Sequence, residues 1–103
     1  MISKNLFSLK GKTAVVTGGS TGIGLMATAG LVSAGAKVFI VSRKLENCQN
    51  AAKKLNNYNF EGEVIPFRGD LSSETGISDI TDEIYSQNSE INILLQNAGR
   101  TWA

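Results

Sequence analysis

Four of the eight residues in TGGSTGIG, positions 17–24, are glycine; the run follows two valines and precedes an alanine-rich stretch. A chain that gives up so much backbone restraint in one place takes a shape that a Cβ would forbid. A glycine-rich turn between a strand and a helix aims unpaired backbone N–H groups at one point. The helix dipole adds to their field, and together they suit a phosphate. The spacing is T-G-x-x-x-G-I-G rather than the more familiar G-x-G-x-x-G. Gly18 would make the tight turn, and Gly22, followed by Ile23, would let the backbone approach a pyrophosphate. Gly24 would let the helix pack closely on the strand, while Ser20 and Thr21 would add hydroxyl donors. A turn that holds no ligand is the alternative. The strand-helix-strand frame around the cluster is what favours the phosphate reading.

Other reactive groups are scarce. There is no histidine, which removes the commonest general base and metal ligand. The single cysteine, Cys48, excludes an intramolecular disulfide and a zinc cluster. It falls on the apolar stripe of a predicted helix and reads as a buried structural thiol rather than a reactive one. No nucleophile elbow is present.

The formal charge of +1 gives no reason to expect nucleic acid or a membrane surface as partner. Its distribution is uneven. Residues 1–45 contain six Lys or Arg and no acid, whereas residues 46–103 contain four basic and nine acidic residues. A positive first half suits an anionic ligand there; helix faces that happen to differ in charge give the same pattern. With 42% apolar and 18% charged residues, the chain reads as globular. Its 103 residues make one small domain at most, or part of a larger one. No apolar run approaches a membrane span, and MISKNLFSLK reads as carrying no targeting signal. A reducing, cytoplasmic setting is the expectation.

The glycine cluster needs elements to hold it, and the pattern supplies them. KTAVVT (12–17) is β-branched and reads as a buried strand. Ile23, Met26, Ala27, Gly30, Leu31 and Ala34 recur at helical spacing after it, and Gly35 stops that helix. KVFIVS (37–42) is a second strand. Leu45, Cys48, Ala52 and Leu55 form the stripe of a second helix ending at Asn56 and Asn57. EVIPFR (63–68) is a third strand whose Pro66 assigns it to a sheet edge. Ser72 or Ser73 caps a third helix with the stripe Ile77, Ile80 and Ile84. INILLQ (91–96) is a fourth strand, apolar enough to be buried on both faces.

The order β-α-β-α-β-α-β implies an α/β fold: a parallel, doubly wound, Rossmann-type sheet in the order 3-2-1-4. The fourth strand then forms an apolar edge, which native folds normally cover. Residues 1–103 thus read as the N-terminal part of a single dinucleotide-binding domain, incomplete without a further half.

TGGSTGIG after KTAVV resembles the cofactor loop of the short-chain dehydrogenase/reductase (SDR) family. The resemblance runs along the chain: SRK (42–44) follows the second strand, GDL (69–71) the third and QNAG (96–99) the fourth. Each motif stands at a strand's C-terminal end, where open α/β sheets bind ligands. An enzyme that selects NAD places Asp or Glu at the end of the second strand to accept from the ribose 2′-hydroxyl. Ser42 stands there instead, followed by Arg43 and Lys44, which suit a 2′-phosphate. NADP(H) is therefore expected over NAD(H), although Arg43 and Lys44 also fit a solvated first helical turn.

Asp70, followed by Leu71, resembles the family's aspartate that accepts from the adenine amino group. It is equally suited to a helix N-terminus. Asn97, Ala98 and Gly99 match the end of the family's NNAG, which braces the sheet and touches the cofactor ribose; Gln96 replaces the first asparagine. Trp102 after NAG and Thr101 resembles the start of a substrate pocket in reductases of the 3-oxoacyl type, or stands as a loose aromatic.

The resemblance also implies a catalytic Tyr-x-x-x-Lys with a preceding serine. Tyr58 and Tyr85 are followed four places on by Gly62 and Ser89, so neither fits. The expected function is the NADP(H)-binding portion of a reductase acting on a small carbonyl substrate, the 103 residues alone not being catalytic. Two alternatives stand beside it: a non-catalytic nucleotide-binding or interaction module, and a truncated product without function. Oligomeric state is not legible.

Overall fold

The β-branched run TAVVT forms strand β1 (Thr13–Thr17), and the computed structural model describes residues 8–18, 22–70, 73–87 and 90–96 of the chain. Helix α1 (Gly22–Ser33), strand β2 (Lys37–Ser42), helix α2 (Leu45–Asn56), strand β3 (Glu63–Arg68), helix α3 (Glu74–Ser86) and strand β4 (Ile93–Gln96) follow in order. The three strand pairings among the described residues are all parallel, and the sheet order is β3-β2-β1-β4, as the alternation of strands and helices predicts. Among the described residues no helix is long and apolar enough to cross a membrane.

Successive strand residues face opposite sides, and the two sides bury different sets. Ala14, Val16, Val38 and Ile40 pack with Val32 of α1 and with Cys48, Ala52 and Leu55 of α2. Val15, Phe39 and Val41 pack with Ile80 and Ile84 of α3. The sheet is thus covered by α1 and α2 on one face and α3 on the other. Burying each of the two isoleucines contributes about 1.5–3 kcal/mol, enough to fix which face of α3 turns inward.

α1 ends as expected. Gly35 adopts φ +104°, its N–H donates to the Val32 carbonyl (3.1 Å) and the Ala36 N–H donates to that of Leu31 (3.1 Å). This is a Schellman cap, and its left-handed residue favours glycine. α3 begins at Ser73, whose Oγ accepts from the Gly76 N–H at 3.0 Å.

Three expectations are corrected. The inward face of α1 is Gly24, Thr28 and Val32, whereas Ile23 and Met26 are 76% and 74% exposed. GIGLMATAGLVS is apolar or small on every side, so periodicity does not select a face. Small Gly24 and Thr28, one turn apart, let the helix approach the sheet, and the Thr28 hydroxyl is satisfied by the Gly24 carbonyl at 2.8 Å. In α2 and α3, Leu45 and Ile77 turn outward, and Ala51 and Gly76 are buried. β4 is not buried on both faces: Leu94 is 57% exposed, and among the described residues β4 pairs only with β1, at the edge of the sheet.

Candidate functional site

The parallel register brings the motif-bearing ends of the strands into one row. Thr17 stands opposite Gln96 on one side and Val41 on the other, and Val41 stands opposite Phe67. The segments that leave this row are Gly18 from β1, Arg43 and Lys44 from β2, and Gly69 and Asp70 from β3. All three emerge at the C-terminal end of the sheet.

Gly18 turns the chain out of β1 at φ +65°, and its N–H donates to the Val41 carbonyl at 3.2 Å. Gly18 is thereby tied to the end of β2. Gly22, at φ +56°, opens α1, and a Cβ there would meet nothing within 4 Å. The backbone is thus approachable at a helix N-terminus, where N–H groups lack helical partners. Gly24 is buried and Ile23 is exposed. Ser20 and Thr21 lie outside the described residues, as do Leu71, Asn97, Ala98 and Gly99.

Ser42 closes β2 and shapes the next turn. Its Oγ accepts from the Lys44 N–H at 3.2 Å, and its carbonyl accepts from the Gly69 N–H at 3.0 Å. Lys44 caps α2 with an extended backbone and without a side-chain cap bond. Below this turn Cys48 is buried. Burial pushes its thiol pKa above the ordinary 9.0, against smaller opposing effects of the Ser42 hydroxyl and the Phe67 backbone. The cysteine is structural, as its place on the apolar stripe suggests.

Asp70 is held from α3. Its carbonyl accepts from the Ser73 N–H (3.3 Å) and the Ser73 Oγ (3.1 Å). A Cβ on Gly76 would overlap the Asp70 carbonyl oxygen, so glycine permits this close approach. A cavity of about 300 Å³ lies at this end of the sheet, lined among the described residues by Arg43, Arg68, Gly69 and Asp70. It brings together two residues singled out from sequence, Arg43 and Asp70. Lys44 and Ser42 stand beside Arg43 in the chain but do not line it.

Arg68 is the lining residue that the sequence motifs missed. It reads there only as the last residue of a strand, and its pairing with Ser42 becomes visible once the β2–β3 register is known. Among the described residues no group of three or more His, Cys, Asp or Glu could hold a metal ion.

The donor set fits a phosphorylated nucleotide. It comprises an approachable helix N-terminus, an arginine-lined cavity and an aspartate, all at the C-terminal end of a parallel sheet. No cluster on the described residues suits a metal-centred alternative.

Comparison with known proteins agrees with this architecture. Residues 12–103 match the family described as short chain dehydrogenase. The chain is 44% identical over 96 residues to the rhamnolipids biosynthesis 3-oxoacyl-[acyl-carrier-protein] reductase of Pseudomonas aeruginosa, covering 93% of this chain and 36% of that protein. It is 38% identical over 88 residues to the human dehydrogenase/reductase SDR family member 11, covering 85% of this chain and 34% of the relative. Among solved structures, the Pseudomonas aeruginosa RhlG/NADP active-site complex superposes with a TM-score of 0.81 at 42% identity, over 92% of this chain and 37% of that one. The L-sorbose reductase of Gluconobacter frateurii, complexed with NADPH and L-sorbose, gives 0.84 at 30% identity, over 93% and 36%. The chain therefore spans about a third of the length of these relatives. With its fold and nearly all of its described sequence matched, the chain belongs to the short-chain dehydrogenase family.

Proposed function

We propose that this chain is the cofactor-binding part of an NADP(H)-dependent oxidoreductase that reduces a carbonyl group, with a 3-oxoacyl compound as the substrate class. The observation that carries the cofactor reading is Arg43. It follows Ser42 at the end of β2, where a carboxylate would select NAD, and it lines the cavity beside Asp70. A carboxylate would repel a ribose 2′-phosphate, whereas a guanidinium binds one. The complexes of two relatives with NADP and NADPH support the same choice. The substrate class rests on the reductase that is 44% identical.

In this reading, the backbone of Gly18, Gly22, Ile23 and Gly24, with Ser20 and Thr21, receives the pyrophosphate. Ser42, Arg43 and Lys44 receive the 2′-phosphate. Asp70 accepts from the adenine amino group, with Leu71 beside it, and Asn97, Ala98 and Gly99 touch the ribose. NADPH, when bound, supplies the hydride. This chain's share is to bind and orient: neither Tyr58 nor Tyr85 is followed four places on by a lysine, as the family's catalytic tyrosine is.

Titration with NADPH and NADH, for the unaltered protein and for Arg43→Asp, tests the assignment. The substitution is expected to weaken NADPH much more than NADH. Equal losses would overturn the NADP preference, and failure of the unaltered protein to bind either nucleotide would overturn the cofactor site itself.

A further inference from the structure

The last rung of the β2–β3 ladder pairs Ser42 with Arg68. Residues opposite each other in a parallel pair project to the same face of the sheet. Arg68 therefore shares the face of Ser42 and of Val64, which is buried with α2, whereas Phe67 faces the side covered by α3. This sets Arg68 beside the β2–α2 turn, at the lip of the sheet. Its Nε donates to the Arg43 carbonyl at 3.4 Å, which ties the strand end to the turn that carries the other arginine.

Two arginines thus line one cavity of about 300 Å³. Like charges at one opening repel each other, and an anion between them removes that cost. Asp70 lines the same cavity and offsets part of this charge, and with two arginines to one carboxylate the opening keeps a net positive charge for an anion. A phosphate monoester carries about −1.5 to −2 charges at neutral pH, more than one guanidinium neutralises. Arg43 approaches from a turn and Arg68 from a strand end held in the ladder.

We infer that Arg68 is a second specificity-determining cation that acts with Arg43 on the 2′-phosphate of the cofactor ribose. This rests on the dinucleotide reading given above. A strut that only holds the Arg43 turn would need the Nε hydrogen bond, whereas a phosphate ligand needs the charge. Replacement by lysine and by glutamine separates the two roles.

The test uses adenosine 2′,5′-bisphosphate and 5′-AMP as probes, titrated calorimetrically into the protein, because they report the adenosine end without the nicotinamide. The unaltered protein is expected to prefer the bisphosphate. Arg68→Gln should lose about tenfold in bisphosphate affinity, the order of one charge-assisted contact, while 5′-AMP changes little. Arg68→Lys should retain most of the preference. The inference is overturned if Arg68→Gln keeps the bisphosphate preference while Arg43→Gln abolishes it, or if Arg68→Gln weakens both probes equally. A loss in Arg68→Lys as large as in Arg68→Gln would also overturn it, leaving Arg68 as a strut. If neither probe binds the unaltered protein, the dinucleotide reading fails first and the role of Arg68 with it.

Discussion

The side-chain amide of Asn56 closes the outer edge of the sheet on Val64: its Nδ2 donates to the Val64 carbonyl at 3.0 Å, and its Oδ1 accepts from the Val64 N–H at 2.9 Å. The last residue of α2 thereby replaces a neighbouring strand. Alternate residues of a strand turn their backbone groups to the same side, so Pro66 presents to this edge the position where it lacks an N–H. One side chain and one proline together quiet an edge that would otherwise template further pairing.

Asn56→Ala removes both bonds and is expected to lower stability by about 1–2 kcal/mol, since Val64 is buried and water replaces the amide poorly. Asn56→Asp keeps the acceptor but sets a carboxylate against the Val64 carbonyl, so it should lose at least as much at neutral pH. Urea denaturation measures both, and an unchanged midpoint in Asn56→Ala would show the edge bonds to be unimportant.

The sheet order was legible because two features agreed: Pro66 demands an edge, and right-handed crossovers leave one economical winding that puts it there. Gly35 and Ser73 marked helix ends because their chemistry is local. The buried face of α1 was not legible. A helix apolar all round is oriented by close approach at Gly24 and Thr28, a tertiary effect that periodicity does not carry. Leu94 and Leu95 were misread for a related reason, since apolar character reports what a strand can bury and not whether a partner lies over it. Of the residues that line the cavity, Arg43 and Asp70 stand out in the sequence because each follows a strand. Arg68 was hidden inside one, and only the register set it against Ser42.

Gly76 is expected to be intolerant of the smallest side chain. In an exposed helix, Gly→Ala stabilises by about 1 kcal/mol through helix propensity. Here the added methyl would overlap the Asp70 carbonyl oxygen. Gly76→Ala should therefore destabilise, by about 1–3 kcal/mol, and should weaken 5′-AMP binding as Asp70 is displaced. The sign decides: a raised Tm would mean that α3 does not press on Asp70.

Cys48 should be silent to thiol reagents in the folded state and should make the fold sensitive to alkali. Its pKa is raised by burial, so the folded chain holds its proton at pH values where the unfolded chain has lost it. Its contribution is complete below the ordinary thiol value of 9.0 and declines as pH rises above it toward the folded value. Labelling by a disulfide reagent at pH 8 is expected to be slow and to accelerate in urea. Cys48→Ala should show a shallower fall of stability above pH 9. Rapid labelling of the folded protein would contradict the burial.

Asn92 ties β4 to β1 just before the ladder begins. Its Oδ1 accepts from the Thr13 N–H at 2.8 Å, and its own N–H donates to the Thr13 carbonyl at 2.9 Å. Thr13 is buried, so removing the acceptor leaves a buried N–H without its partner, a loss of about 1–3 kcal/mol. Asn92→Asp retains an acceptor at the same place and should stay close to the unaltered protein, while Asn92→Ala should lose most of that amount. Amide exchange then shows where the loss falls. Faster exchange confined to residues 93–96 and Thr13 would mark local release of β4, whereas a uniform increase would mean that the clasp supports the whole sheet. Equal stability of the alanine and aspartate variants would exclude the side-chain oxygen as the source of the effect.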